Sequence, residues 1–219
     1  MNAAIGAQLL SLVARNLKAP LGLGRYAFLF RLALRWQVYL ARYADPEDDE
    51  GLREYKRKLV WFVMIYHELR PRLGDHEALR VALEVTRSVA VLVQRSLYRA
   101  PGNPSLSGLI VLHGRLRGKG LFRHIEYADV KVDHNRYEYR VTRCRFHEAF
   151  TAMGVPELTQ AFCESDEIVF DGYARGLRFH RAGRGTIARG AEDCTFHFEQ
   201  TMRATHSGGA VDVQCADLS

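Results

Sequence analysis

Tyr137-Glu-Tyr-Arg-Val-Thr-Arg143, followed at once by Cys144-Arg-Phe-His-Glu-Ala-Phe-Thr-Ala-Met153, is where the chain changes period. Tyr137, Tyr139 and Val141 alternate with Glu138, Arg140 and Thr142, the pattern of a strand with one buried face. After Cys144 the spacing becomes helical. Gly154 suits the left-handed turn that ends a helix, and Pro156 suits the first turn of the next. On that helix, over residues 156–170, Leu158, Phe162, Ser165 and Val169 share a face. Thr159, Cys163, Asp166 and Phe170 share the adjoining one. Residues 177–181 and 194–198 alternate again and read as a hairpin joined through a glycine-rich turn. Residues 136–200 thus form a strand-helix-helix-hairpin unit, and the predicted fold class is α+β.

Upstream, apolar residues recur at helical spacing over residues 5–17, 26–43, 51–69 and 75–98. The second helix carries Phe30, Leu34, Trp36 and Leu40 as its apolar face, with Arg31, Arg35 and Arg42 as a polar edge. Asp45-Pro-Glu-Asp-Asp-Glu50 places carboxylates at the positive end of the third helix, and Asp75 is the expected cap of the fourth. Residues 1–100 are therefore a helical subdomain packed on a small antiparallel sheet. Residues 101–135 read as a loop and bridging segment, with a short helix over 121–132, and residues 201–219 as a tail. His113-Gly-Arg-Leu-Arg-Gly-Lys-Gly120 is rich in glycine and base. It lacks the Gly-x-x-x-x-Gly-Lys-Ser/Thr order of a phosphate loop, so no nucleotide site is assigned.

The chain has 219 residues, enough for a substantial core. No run of apolar residues is long enough to span a bilayer, and the N-terminus lacks the basic start of a secretory signal. Cytoplasmic residence is expected, with Cys144, Cys163, Cys194 and Cys215 as thiols or ligands rather than disulfides. The first 44 residues hold Arg15, Lys18, Arg25, Arg31, Arg35 and Arg42 and no acidic residue. Those six match the net charge of +6. Such a start can favour a membrane surface, through residues 1–44, or an acidic partner, and a solvated face of a packed helix is the plainer explanation. Without a binding motif or a basic stripe among exposed aromatics, no nucleic-acid partner is expected. A homo-oligomer is left open.

The chemistry is concentrated in the central unit. Cys144 falls where a strand gives way to a helix, so free amide hydrogens and the helix dipole would stabilise its thiolate, with Arg143 and Arg145 adding to the effect. Cys163 and Asp166 are neighbours at i,i+3 and able to share a proton. Cys144, Cys163 and Asp166 are the candidate catalytic residues, with Cys144 as nucleophile and Asp166 as acid or base. Arg143, Arg181, Arg184 and Thr186 are the candidates for holding a small-molecule substrate, the arginines through its carboxylate. The same thiols and carboxylate, Cys144, Cys163, Asp166 and Cys194, could instead gather zinc or iron to activate water. Their spacing contains no local CxxC pair. His67, Glu68 and His76 match no ligand spacing. Thr86 and Gln94 could face a pocket or solvent.

Val141-Thr-Arg-Cys144, Gly154-Val-Pro-Glu-Leu158, Phe162-Cys-Glu-Ser-Asp166 and Gly190-Ala-Glu-Asp-Cys194-Thr-Phe196 together resemble the L-2-amino-thiazoline-4-carboxylic acid hydrolase family. The resemblance implies a hydrolase that opens a small cyclic amidine carboxylate to N-carbamoyl-cysteine. Arg145 stands where the family often has proline, and Thr195 where it often has aspartate. Thr186 fits the family's hairpin, and Arg184 fits it approximately. The order of strand, helices and hairpin also resembles vinyl-reductase-type ligand-sensing domains, some of which hold zinc. That resemblance implies a small-molecule sensor without catalysis, although no cysteine lies between Cys163 and Cys194. A third reading, a peripheral membrane-surface protein, rests on the basic first 44 residues.

Overall fold

The computed structural model describes residues 3–99, 104–181 and 185–201. Helices α1 (Ala3–Asn16), α2 (Lys18–Leu21), α3 (Arg25–Arg42), α4 (Glu50–Leu73) and α5 (Asp75–Leu97) come first, then α6 (Leu106–Leu116). Strands β1 (Glu126–Val132) and β2 (Arg136–Arg143) lead into α7 (Arg145–Ala152) and α8 (Leu158–Phe170), and β3 (Leu177–His180) and β4 (Cys194–Gln200) close the unit. The fold is α+β with a helical N-terminal part, as expected. Among the described residues no helix is long and apolar enough to cross a membrane.

The strands form one antiparallel sheet in the order β1-β2-β4-β3. Its period-2 pattern sets the register: Tyr137 faces Phe198, Tyr139 faces Phe196 and Val141 faces Cys194. These side chains turn inward together, with Tyr139 stacked on Phe196 at 4.7 Å between centroids. This inner face packs on Leu106 and Leu109 of α6, Val169 and Phe170 of α8 and Tyr98 at the end of α5. A second apolar core joins α1, α3, α4 and α5, and takes in Ala149, Phe150 and Leu158 from α7 and α8. Helix α8 therefore lies between the helical core and the sheet.

Local signals set several boundaries. Asp49 caps α4 by accepting from the amide of Leu52 at 2.8 Å. After α7, Gly154 adopts φ +77° and reverses the chain, a conformation that favours glycine. At α5 the cap is Gly74 with no side-chain bond, and Asp75 is already helical, paired with Arg70.

Two expectations are corrected. Residues 121–132 do not form a helix. Gly120–Phe122 is a single 3-10 turn, and β1 follows it. The strand was hidden because it is an exposed edge with a register shift between Ala128 and Lys131, where Asp129 takes φ +51°. Such a bulge breaks the two-residue alternation. On α3 the expected faces are partly reversed. Phe28, Leu32 and Tyr39 are buried, whereas Phe30 and Leu34 are each 66 % exposed. Arg31 and Arg35, their side chains 39 % and 48 % exposed, reach over to Glu68 of α4, which is buried and also accepts from the Tyr39 hydroxyl at 2.9 Å. A buried carboxylate needs these partners, and that need outweighs the apolar count of the helix.

Candidate active site

Helix α8 turns Thr159, Cys163, Asp166 and Phe170 toward a cavity of about 790 Å³. Most of the wall is aliphatic or aromatic, with Leu9, Val13, Leu32, Trp36, Val85 and Val89 on the helical side. The opposite end is polar. There Gln94, Asp166, Arg181, Cys144, Cys163 and Cys194 meet, although they come from α5, α8, two strand ends and the residue after β3.

The centre of this end is an ion pair. The Asp166 carboxylate accepts from Arg181 Nη2 at 2.5 Å and from Gln94 Nε2 at 2.9 Å. Arg181 Nη2 also donates to the Cys163 carbonyl at 3.3 Å. The Arg181 side chain is only 8 % exposed, and its guanidinium carbon lies 4.4 Å from the centroid of the Phe196 ring. Its Nε and Nη1 have no hydrogen-bond acceptor among the described residues, and Nε is 4.0 Å from Glu167 in an ion pair. Gln94 Oε1 is likewise buried without a donor. Burial pushes the Asp166 carboxyl above its ordinary range, against the pull of Arg181 and Gln94.

Cys144 does cap α7, but not as an activated thiolate. Burial pushes its thiol up to about 12, and the nearby amides of His147 and Phe146 only reduce that rise. The flanking arginines do not act on it as expected. Arg143 pairs with Glu148 at 2.6 Å and Glu126 at 3.3 Å, and Arg145 with Glu148 at 2.6 Å and Asp49 at 2.9 Å. Their charges are taken up by these carboxylates. Arg143, expected to hold substrate, is thus held outside the cavity. Cys163 is also pushed up to about 12, first by burial and then by Asp166. Cys194 is buried at the start of β4, where its sulfur accepts from the Ile187 amide at 3.2 Å.

Thr186 is buried and lies beside the Cys163 thiol. Arg184 and Cys215 fall outside the described residues. Among those described, no three His, Cys, Asp or Glu side chains are gathered as metal ligands would be. Cys144, Cys163, Asp166 and Cys194 all line the polar end of the cavity, but no three of them are grouped in that way. Gln94 does face the pocket, whereas Thr86 only donates to the Ala82 carbonyl at 2.7 Å.

Sequence reasoning missed the floor of the site. His113, in the last turn of α6, is buried, hydrogen-bonded to the Tyr137 hydroxyl and stacked on Tyr139 at 4.5 Å. Burial, with some help from Arg117, pulls its pKa down to about 3, so it is neutral. The glycine-rich context of His113 gave no signal for this. The inward alternation of Tyr139 did.

These features define an α+β protein with a deep apolar cavity closed at one end by a buried guanidinium–carboxylate pair and three thiols. Residues 53–198 match the model of the L-2-amino-thiazoline-4-carboxylic acid hydrolase family, and the chain belongs to that family. The match begins in α4 and ends in β4, so it spans the whole polar end of the cavity. No curated protein and no solved structure matches the chain significantly.

Proposed function

We propose that the protein hydrolyses a cyclic amidine carboxylate of the 2-amino-thiazoline-4-carboxylate type at the polar end of the cavity. The observation that carries this reading is Arg181, whose Nη1 and Nε lack a hydrogen-bond acceptor among the described residues and sit beside Asp166 at the polar end of a largely apolar cavity. A substrate carboxylate supplies the missing acceptor. Asp166, with its raised carboxyl pKa, takes one proton from water as the water oxygen bonds to the amidine carbon. The carbon–sulfur bond breaks, Asp166 returns that proton to the departing sulfur, and the second water proton ends on the ring nitrogen. The product is a carbamoyl amine bearing a free thiol. Cys144 and Cys163, held as thiols, line this reaction space rather than provide a resting thiolate.

The test is chromatographic assay of 2-amino-thiazoline-4-carboxylate turnover by wild type, Asp166→Asn, Cys144→Ala and Cys163→Ala. Asp166→Asn is expected to lose about 10²-fold or more, the usual scale for a general acid–base group. Each cysteine variant should keep activity within about tenfold, because neither supplies the attacking atom. Loss of turnover in Cys144→Ala with Asp166→Asn still active would restore the thiol nucleophile. A second reading, a ligand-binding protein without turnover, is supported by the size and apolar lining of the cavity. Tight binding with no product from wild type would establish it.

A further inference from the structure

The cavity is far larger than the ring that the polar end would hold. A thiazoline carboxylate has about nine non-hydrogen atoms. Allowing each as much room as a water molecule, about 30 Å³, it fills at most roughly 270 Å³. The cavity is about 790 Å³. The remainder lies toward α1, α3 and the middle of α5, where Leu9, Val13, Leu32, Trp36, Val85 and Val89 supply no hydrogen-bonding side chain except the Trp36 ring nitrogen. It reaches solvent beside Leu10 and Trp61, which line the cavity yet are 65 % and 37 % exposed. Trp61 stacks on Trp36 at 4.6 Å there, and Arg57 and Lys58 stand on the same side of α4.

We infer that the ligand is an amphipathic monoanion: a carboxylate seated on Arg181 and an apolar chain or ring system running from it between α4, α5 and α8 toward Trp36. The reason is the pairing of two mismatched ends in one cavity. Arg181 offers buried N–H groups that only an acceptor satisfies, and the long wall offers surface that only an apolar group occupies without loss. A small polar substrate satisfies the first and leaves the second empty. An apolar ligand without an anion does the reverse. This inference rests on the reading of Arg181 as the carboxylate holder, but it does not require turnover.

The experiment is calorimetric binding of straight-chain carboxylates from butanoate to dodecanoate, with the matching alcohols, to the full chain. Affinity is expected to rise about three- to fourfold per added methylene until the cavity is filled. Each long acid should bind at least tenfold tighter than its alcohol. Arg181→Gln should remove that acid-over-alcohol preference, and Arg181→Lys should keep part of it. Val89→Phe, or Val93→Phe if the first is poorly folded, should weaken dodecanoate at least tenfold and leave butanoate unchanged. Affinity that does not change with chain length overturns the proposal. So does an acid preference that survives Arg181→Gln and disappears in Arg57→Gln or Lys58→Gln, which would put the anion at the mouth. Chain-dependent binding without thiazoline turnover would refute the hydrolase alone. Thiazoline turnover with no gain from a tail would refute the amphipathic ligand alone.

Discussion

The Cys144 thiol decides between two views of the site, and its reactivity can be worked out from its surroundings. At the tip of α7 the helix amides favour the thiolate, and a cysteine so placed would normally react fast near neutral pH. Burial opposes this and prevails, lifting the thiol from its ordinary 9.0 to about 12. At pH 8 a free thiol is ionised to about one part in ten and Cys144 to about one in 10⁴, so alkylation should be about 10³-fold slower than for a free thiol. The assay is iodoacetamide labelling at Cys144, read by peptide mass spectrometry between pH 7 and 10 in a Cys215→Ser background. Slow access alone would also lower the rate, but the rate would then level off near pH 9. A thiol whose pKa is raised to about 12 keeps gaining about tenfold per pH unit through pH 10. Labelling at pH 8 as fast as a free thiol, with a plateau near neutrality, would refute the reasoning. The same shift bears on stability. A pKa raised on folding favours the folded state below pH 9, and this contribution is lost as pH climbs toward 12. The three-unit rise amounts to about 4 kcal/mol for this one group.

His113 acts at the other end of the scale. Its pKa falls on folding to about 3, so stability is complete above pH 6.5 and declines as the solution is acidified. Urea denaturation at pH 7 and pH 5 should show about 2 kcal/mol lost to this residue, and His113→Gln should remove that part of the dependence. The Arg181–Asp166 pair should cost about 3–5 kcal/mol when either partner is neutralised alone. The double variant Asp166→Asn/Arg181→Gln should cost less than the two single losses combined, and single variants within 1 kcal/mol of wild type would show that the pair is not coupled. Tyr26, Phe30, Leu34 and Val38 form an exposed stripe at four-residue spacing along α3, beside the acid-free basic start of the chain. Co-sedimentation with anionic liposomes is expected to drop about tenfold in Phe30→Ser/Leu34→Ser and to weaken with salt. Undiminished binding by that variant would remove the membrane reading.

The sequence by itself determined what depends on neighbours along the chain. The two-residue period of Tyr137–Tyr139–Val141 required a one-sided strand. The 100° helical step placed Thr159, Cys163, Asp166 and Phe170 on one face, and Gly154 marked the reversal between α7 and α8. These are consequences of backbone geometry, and the structure keeps all of them. The tertiary structure decided what lies opposite each face. Gln94 and Arg181 reach Asp166 across 72 and 15 residues of chain, and no local pattern encodes that meeting. The buried Glu68 drew two α3 arginines into ion pairs on its side of the helix and left Phe30 and Leu34 outside. For Cys144 the sequence correctly placed the thiol at a helix tip, where local dipoles favour its anion. Desolvation is a sum over everything packed around the sulfur, so the upward pull on its pKa follows only from the assembled fold.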